Sequence, residues 1–426
     1  MIFLIMAVAG VMLFLGFEMI LVLGVPVFLA KLAFFGAMPD LVLVQKMIGG
    51  IDHSILLAIP FFIFAAELMA GGRIAQLLSR SAGSCFRRVP GGAGHSAIAG
   101  SMAFGAVSGS APATVAALGR LMYPQLREAG FSNKFSLGLI ISAAETALLI
   151  PPSLALIIYG WLSETSISRL FAAGLVVGIV LGLAFAGLVM VEVMRHRLTA
   201  HEPGRLAAAG EVVKGTVWAL GMPVIILGGI YAGLFTATEA AAVSVLYAAF
   251  VETVRFRSLT RGGLLRVAQR SAVLTSVIFI LLAVGSTLAF FITLARVPDS
   301  IIVFMHWIGA GPILFLLIVN VTFLVAGMFM DPGSAMLILV PTLFPVAQSL
   351  GIDPVHLGLV ICLNVCTAMI TPPFGLDIFV ASSTLNKPVV EITKGVGPFI
   401  VVNLIVLMII TYVPGVATFL PNLLFD

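Results

Sequence analysis

The sequence predicts an all-α polytopic membrane protein built from two inverted-topology repeats. Of its 426 residues, 61% are hydrophobic and only 9% are charged, and the mean hydropathy is +1.20. The apolar residues form long continuous runs, which indicate helices, and not the alternating pattern of a membrane barrel. Shifting the sequence by 221 residues also aligns its two halves without a gap. The composition excludes a soluble enzyme, a disordered protein and a nucleic-acid-binding protein.

Apolar runs long enough for membrane-crossing helices occur along the whole chain. They lie near 1–15, 19–37, 41–70, 135–162, 168–194, 214–235, 237–254, 271–294, 357–385 and 396–420. We therefore expect about 10–11 transmembrane helices, each needing about 20 apolar residues. A cleaved signal peptide has positively charged residues before its apolar segment, and the first run here has none. We therefore expect this run to be a helix that is retained in the mature protein.

Two segments rich in Gly, Ser and Pro do not fit the pattern of a simple crossing. They are 91–118 and 312–339, and each is long enough for two short half-helices joined by a turn. We predict that each forms a re-entrant helical hairpin, with its tip at 106–112 and 328–334 respectively. Each tip combines glycine, which tolerates unusual backbone angles, with proline, which favours the first turn of a helix.

The repeat is supported by coincident prolines and glycines at the offset of 221. Pro151-Pro152 aligns with Pro372-Pro373, and Gly130 aligns with Gly351. Apolar sequences match by chance, so the alternative is two merely similar spans in a helical bundle. Coincident proline pairs and turns at one offset favour a true duplication.

The placement of positive charge indicates the orientation of the repeats. If each half makes five crossings and the N-terminus lies outside, all but four of the 22 Lys and Arg residues lie inside; the exceptions are Lys31, Lys46, Arg169 and Arg296. Basic residues remain on the cytoplasmic side during insertion. Because five is odd, the second half is then inverted relative to the first, an arrangement found in transporters. Both termini are predicted to be periplasmic.

Each proline pair interrupts a long apolar run. Proline lacks an N–H donor and clashes with the preceding turn, so we predict that both helices break there. Unwound backbone at membrane depth lies buried in protein or lines a polar cavity. Its free carbonyls, together with nearby hydroxyls, are the ligands that a hard cation prefers. The alternative is a pair of simple kinks.

Asp331 lies at the second predicted tip, within an apolar segment. A carboxylate there costs about 2.5–3.5 kcal/mol on insertion scales unless it is paired or coordinated. A bound cation would compensate this cost. Alternatively, Asp331 acts as the N-cap of the helix that begins at Pro332, and both roles are compatible.

Several other polar residues lie within apolar runs. Glu145 precedes the first proline pair, and Asn364 and Asp377 flank the second, so these three are predicted to line a substrate cavity. For Glu18 and Glu239, which align at the same offset, hydrogen bonding between neighbouring helices is the favoured interpretation. No zinc, haem, P-loop or GxSxG pattern occurs, so sodium is the only metal expected and no cofactor is predicted.

Four motifs resemble one known family. GSAPATVAAL (109–118), IPPS (150–153), MDPGSA (330–335) and TPPFGL (371–376) are similar to the DctM-like large membrane subunit of tripartite ATP-independent periplasmic (TRAP) transporters. The resemblance covers nearly the whole chain. It implies a multi-pass protein of the bacterial inner membrane that is a sodium symporter, not an enzyme. It also implies an elevator mechanism, in which a transport domain slides against a scaffold.

The resemblance further implies partners and a substrate. A small four-helix membrane subunit is expected as a separate chain, and a periplasmic substrate-binding protein is expected to deliver a small organic anion. The lipid bilayer is the remaining partner, and no nucleic acid is expected. Two competing functions remain open: a stand-alone sodium/dicarboxylate symporter, and a passive channel or structural membrane subunit.

In families of this type sodium lies between each hairpin tip and the facing helix break. For sodium site 1 the resemblance implies Ser108, Ser110, Ala147, Ile150 and Pro152. For sodium site 2 it implies Asp331, Ala368, Thr371 and Pro373. The candidates for the substrate cavity are Gly109, Ser153, Glu145, Ser334, Asn364 and Asp377. Glu145 and Asp377 depart from the family pattern. An extra carboxylate at each break has three alternative consequences: a different number of cations, the entry of protons, or the rejection of dicarboxylates.

The predicted organisation divides the chain into eight segments. They are scaffold helices (1–72), a cytoplasmic arm (73–90), hairpin 1 with its broken helix (91–165), the last helix of repeat 1 with a cytoplasmic linker (166–215), scaffold helices of repeat 2 (216–293), a periplasmic arm (294–311), hairpin 2 with its broken helix (312–385) and a final helix (386–426).

Overall fold

The computed structural model describes residues 2–86, 88–198, 209–307, 309 and 311–425. Over these residues the chain forms helices and no β-strand, which confirms the prediction of an all-α protein. The first half contains α1 (Ile2–Phe14), α2 (Met19–Phe34), α3 (Asp40–Ile51), α4 (Ala58–Ala70), α5 (Ile74–Cys85), α6 (Gly92–Ser108), α7 (Ala111–Glu128), α8 (Asn133–Glu145), α9 (Leu154–Leu162) and α10 (Ile167–His196). The second half contains α11 (Ala209–Tyr231), α12 (Ala237–Phe250), α13 (Arg261–Leu294), α14 (Val297–Trp307), α15 (Pro312–Gly327), α16 (Pro332–Ser349), α17 (Pro354–Met369), α18 (Leu376–Leu385), α19 (Val389–Tyr412) and α20 (Pro414–Phe425).

Among the described residues, five helices are long and apolar enough to cross a membrane by length and composition. They are α10, α12 with the π-helical turn that follows it, α13, α16 and α19. The pair α3 and α4, bent by 59°, adds a sixth if it forms one span, and six further helices are apolar but shorter. Large apolar side chains such as Leu183 and Leu246 are exposed on the long helices, as contact with lipid requires. The total of 10–11 crossings stays a prediction.

The helix bounds of the two halves coincide at the offset found in the sequence. Shifting α7 by 221 residues gives 332–349, which are the bounds of α16, and α8 shifted in the same way begins where α17 begins. Helices α5 to α10 thus correspond in order to α14 to α19. The predicted arms at 73–90 and 294–311 each contain one helix, α5 and α14. Whether the second copy is inverted, and on which side each arm lies, stays a prediction.

Two expectations about helices differ from the structure. The final segment, 386–426, contains two helices instead of one, because the chain leaves the helical conformation at Val413 before Pro414 starts α20. The apolar run 41–70 is divided at 52–57 by a bend and a 3₁₀ turn. Arg87, and residues 199–208 of the predicted linker with Arg205, lie outside the described residues.

One close crossing between the two halves is made through glycines. Helices α8 and α19 pack against each other at Gly138 and Gly395. A Cβ atom on Gly138 would lie 2.2 Å from the Gly395 carbonyl oxygen, and one on Gly395 would lie 2.2 Å from the Lys134 carbonyl oxygen. Small residues allow helix backbones to approach closely in a membrane protein. This contact holds the first broken helix against the second half.

The substitution Gly138→Leu is expected to destabilise the protein, because the added side chain must push α8 away from the α19 backbone. Overpacking of this kind costs about 1–3 kcal/mol. The measurement is thermal unfolding in detergent, where the melting temperature should fall by several degrees. Gly397→Leu is the matched control, since Gly397 lies on the same α19 and a Cβ atom added there would meet no atom within 4 Å. Equal melting temperatures for the two variants would contradict the proposed packing.

Candidate functional site

One cavity, which we call the central cavity, is lined by residues of both hairpin tips and of both helix breaks. Its volume is about 140 Å³. Ser110 and Asp331 reach it from the two tips, Leu148 and Leu154 flank the first break, and Met369 flanks the second. Ile278, Leu281 and Leu282 of α13 form the remaining wall. The two tips, the two breaks and α13, five segments that are separate in sequence, therefore share one space.

The first break separates α8 from α9. After Glu145 the chain makes a 3₁₀ turn (146–148), and Leu149 to Ser153 are not helical. Pro151 and Pro152 have no N–H groups to continue the helix. Ser153 then starts α9 as its N-cap: its hydroxyl accepts a hydrogen bond from the Leu156 N–H and donates one of 2.5 Å to the Leu148 carbonyl. Leu148 and Ser153 are thus held together across the break.

The first hairpin tip packs directly on this break. Gly109, with a φ of +59°, turns the chain between α6 and α7, and a Cβ atom there would lie 2.5 Å from the Pro152 carbonyl oxygen. Ser110 caps α7 by accepting a hydrogen bond from the Ala113 N–H. The hydroxyl oxygens of Ser108 and Thr114 lie 3.1 Å apart beside it. The tip therefore presents hydroxyl groups next to the backbone of the broken helix.

The second break separates α17 from α18 in a similar way. Residues Ile370 to Gly375 are not helical, and the Pro372-Pro373 bond, like Pro151-Pro152, is cis. The Thr371 hydroxyl donates a hydrogen bond of 2.6 Å to the Thr367 carbonyl, and its N–H donates one of 3.0 Å to the Ala368 carbonyl. Both helix breaks predicted from the proline pairs are therefore confirmed.

The second hairpin tip is anchored on the second break by two contacts. The rings of Phe329 and Phe374 have centroids 5.5 Å apart. A Cβ atom on Gly327 would lie 2.6 Å from the Cβ of Ala368. In the first half, Gly105 of α6 packs in the same way on Ala147, which aligns with Ala368 at the offset of 221. Each hairpin thus rests through a glycine on equivalent alanines.

Asp331 is both the N-cap of α16 and a half-buried residue of the cavity wall. Its carboxylate accepts hydrogen bonds from the N–H of Ser334, at 3.2 Å, and from the Ser334 hydroxyl. The capping role considered from the sequence is therefore present. It aligns with Ser110, the N-cap of α7, so equivalent positions at both tips cap their helices and face the cavity.

The structure places the predicted sodium ligands in two groups, one at each tip and break. Ser108 and Ser110 lie on tip 1, which packs on the segment that contains Ala147, Ile150 and Pro152. The ligands of site 2 are distributed equivalently between tip 2 (Asp331) and break 2 (Ala368, Thr371 and Pro373). All of them offer oxygen atoms, from carboxylate, hydroxyl or carbonyl groups, which suits a hard cation. That they bind sodium stays a prediction.

Among the six substrate-cavity candidates, Gly109 lies in the wall of the central cavity. The other five are fully buried and do not line this cavity: Ser153, Glu145, Ser334, Asn364 and Asp377. Asn364 donates hydrogen bonds to the Asn320 side chain, at 2.7 Å, and to the Val360 carbonyl. Its role in the structure is therefore to link α17 to α15, and contact of these five residues with a substrate stays a prediction.

Two features of the site were missed by reasoning from the sequence. Asn403 of α19 donates a hydrogen bond of 2.8 Å to the Glu145 carboxylate. A lone amide in an apolar helix is the signal that could have indicated it. The part of the cavity wall formed by α13 could not be predicted from the sequence, because Ile278 and Leu281 are of the same residue types as those that face lipid.

Comparisons with known proteins agree with one another. Residues 4–416 match the family model of the tripartite ATP-independent periplasmic transporter, DctM component. The chain is 38% identical to the ectoine/5-hydroxyectoine TRAP transporter large permease protein UehC of Ruegeria pomeroyi, over 98% of this chain and 97% of that protein. It is 37% identical to the C4-dicarboxylate TRAP transporter large permease protein DctM of Pseudomonas aeruginosa, over 90% of each.

A further relative and a solved structure extend the comparison. The sialic acid TRAP transporter large permease protein SiaM of Vibrio cholerae is 35% identical over 89% of both chains. The crystal structure of the Alcanivorax borkumensis YdaH transporter, only 12% identical, superposes with a TM-score of 0.61 and covers 88% of this chain and 87% of the other. At that identity the likeness concerns the fold alone.

Proposed function

This chain belongs to the DctM component family of TRAP transporters, and from that premise we propose that it couples a sodium gradient to the uptake of a small carboxylate solute. Members of the family are permeases and not enzymes. The apolar helices and the family together make the chain a multi-pass protein of the inner membrane. Sodium coupling, solute and mechanism are the parts that we propose.

The observation that carries this proposal is the meeting of two tips and two breaks around one cavity. Sodium ions between each tip and its break would place positive charge beside the cavity and so favour an anion within it. Helices α7 and α16 also begin at the cavity, with Ser110 and Asp331 as their N-caps. The positive end of a helix dipole attracts carboxylate groups.

The solute class follows from the same chemistry. Ectoine, C4-dicarboxylates and sialic acid, which appear in the names of relatives, all carry at least one carboxylate group. A carboxylate held between two cation-binding tips would be common to all of them. The rest of the cavity wall, including Leu281 and Leu282, is apolar and would determine which carboxylate fits.

Partners and motion complete the proposal. A small four-helix membrane subunit would hold the scaffold, and a periplasmic binding protein would deliver the solute. The hairpins and broken helices would move together as a transport domain along α13, whose residues Ile278 and Leu282 line the cavity. An elevator motion of this kind would carry the bound solute across the membrane.

We expect uptake into proteoliposomes only when the small subunit, the solute-loaded binding protein and an inward sodium gradient are all present. Each net positive charge moved through 100 mV supplies about 2.3 kcal/mol. The measurement is the initial rate of uptake of radiolabelled ectoine, succinate or sialic acid, with choline replacing sodium as the control. Uptake without the binding protein would instead support a stand-alone symporter. Non-saturating flux that is indifferent to sodium would support a passive channel.

A further inference from the structure

Two acidic residues lie buried inside the protein where the two broken helices meet. Glu145 is the last residue of α8, and Asp377 lies in the first turn of α18. Both have a relative exposure of 0%, and neither lines the central cavity. Helix α18 contacts both α8, which carries Glu145, and α19, and Asp377 lies near enough to act on the Glu145 carboxylate. One acidic side chain from each half of the chain is thus enclosed in the same region.

Most of the side-chain oxygen atoms of these residues and their neighbour Asn403 lack a hydrogen-bond partner. One Glu145 oxygen accepts the bond from the Asn403 amide, but the other does not accept any, nor does either oxygen of Asp377. The amide oxygen of Asn403, which is itself fully buried, is also unpartnered. These four oxygen atoms belong to three side chains from α8, α18 and α19. We call this group the acidic cluster.

Within the described part of the chain, no positive charge offsets the acidic cluster. The side chains that act on the Glu145 carboxylate are Asp377, which is also acidic, and Asn403, which is neutral. The Cys366 thiol lies beside it and donates to the Glu145 backbone carbonyl, with sulfur and oxygen 3.6 Å apart. Burying a carboxylate without a partner is costly, and a second one nearby raises that cost. A bound cation would remove the cost.

We propose that Glu145, Asp377 and Asn403 bind a sodium ion in the interior of the protein, separate from the ions proposed at the hairpin tips. The available ligands are carboxylate and amide oxygens, which hard cations prefer. The inference rests on the proposed function only for the identity of the ion. Since the ligands come from α8, α18 and α19, the ion would join both broken helices and α19 into one unit.

The test is equilibrium binding of ²²Na⁺ to the purified chain in detergent. Glu145→Gln and Asp377→Asn should each bind one sodium ion fewer per chain than wild type. The double variant should lose the same single ion and no more. Glu239→Gln, at an exposed carboxylate in the first turn of α12, is the control and should bind as wild type does. Wild-type stoichiometry and affinity in the folded double variant would overturn the proposal.

Thermal unfolding with and without sodium keeps the test decisive if a variant binds poorly for other reasons. Without sodium, Asp377→Asn should be at least as stable as wild type, because it removes an unpaired buried charge. With sodium, wild type should gain more stability than the variant. An equal gain in both proteins would overturn the proposal. A wild-type protein that is more stable than Asp377→Asn in the absence of sodium would also overturn the proposal.

Asp331→Asn separates this inference from the proposed function. If that variant loses an ion while Glu145→Gln and Asp377→Asn keep the full number, the acidic cluster binds no sodium and the tip site stands. If Glu145→Gln and Asp377→Asn lose an ion while Asp331→Asn keeps it, the cluster stands and the proposed tip site fails. If Asp331→Asn loses one ion and the acidic-cluster variants lose a different one, both the tip site and the acidic-cluster site are supported.

Discussion

The substitution Asp331→Asn is expected to reduce sodium-dependent uptake by at least about 100-fold while leaving the protein folded. A 100-fold loss corresponds to about 2.8 kcal/mol, since each 1.4 kcal/mol is about tenfold in binding. This is just below the range of about 3–5 kcal/mol for breaking a fully buried ion pair, as fits a half-buried carboxylate. Asp331 lines the cavity, and its carboxylate is the charged ligand of the proposed site at tip 2. The measurement is the initial rate of uptake at increasing sodium concentrations, together with the melting temperature of the purified variant.

Folding is expected to survive because asparagine is about as good an N-cap as aspartate. The Ser334 N–H can then still donate to the side chain at position 331. Asp353→Asn is the matched control, since Asp353 caps α17 in the same way, by accepting from the His356 N–H at 2.8 Å, but lies outside the central cavity. It should leave uptake near wild type. Unchanged sodium dependence in Asp331→Asn would remove this residue from the coupling mechanism.

Much of the fold was predictable because the relevant signals are local. Pro151-Pro152 and Pro372-Pro373 remove backbone donors wherever they occur, so both helix breaks could be placed from the sequence. Prolines and glycines at turns define the offset of 221 residues between the two halves. Helices α5 to α10 begin at or close to the positions that correspond, at this offset, to the first residues of α14 to α19. The break before Pro414 was not predicted. None of the prolines and glycines that aligned the two halves lies at the position equivalent to it.

The candidate site was predictable only in part, because burial depends on packing between distant segments. Apolar composition does not distinguish a residue that faces lipid from one that lines a cavity, which is why the wall of α13 carried no signal. Glu145 and Asp377 each flank a break, and this placement suggested a cavity. The structure encloses them instead between α8, α18 and α19, with Asn403 as the polar partner of Glu145.

The substitution Gly109→Ala is expected to reduce uptake at least about tenfold by preventing tip 1 from seating on the first break, a loss equivalent to about 1.4 kcal/mol. The added methyl group would lie 2.5 Å from the Pro152 carbonyl oxygen, and backbone atoms at such a distance must shift. Pro152 and Ser110 are both ligands of the proposed site 1, so a shift between tip and break would separate them. The measurement is again the initial rate of uptake, with the sodium concentration for half-maximal rate expected to rise.

A side chain added to a residue in the left-handed conformation also costs about 1–2 kcal/mol, so the effect of the contact must be separated from that of the backbone. Gly351→Ala does this, because Gly351 has a φ of +72° and a Cβ atom added there would meet no atom within 4 Å. Both variants should then lose the stability that the left-handed backbone costs, Gly109→Ala should lose more because of its contact with Pro152, and only Gly109→Ala should lose uptake. If the two variants transported equally well, close contact between tip 1 and Pro152 would not be needed for coupling. Because the same tip carries Ser108 and Ser110, a selective loss would link the geometry of this contact to the binding of the ion.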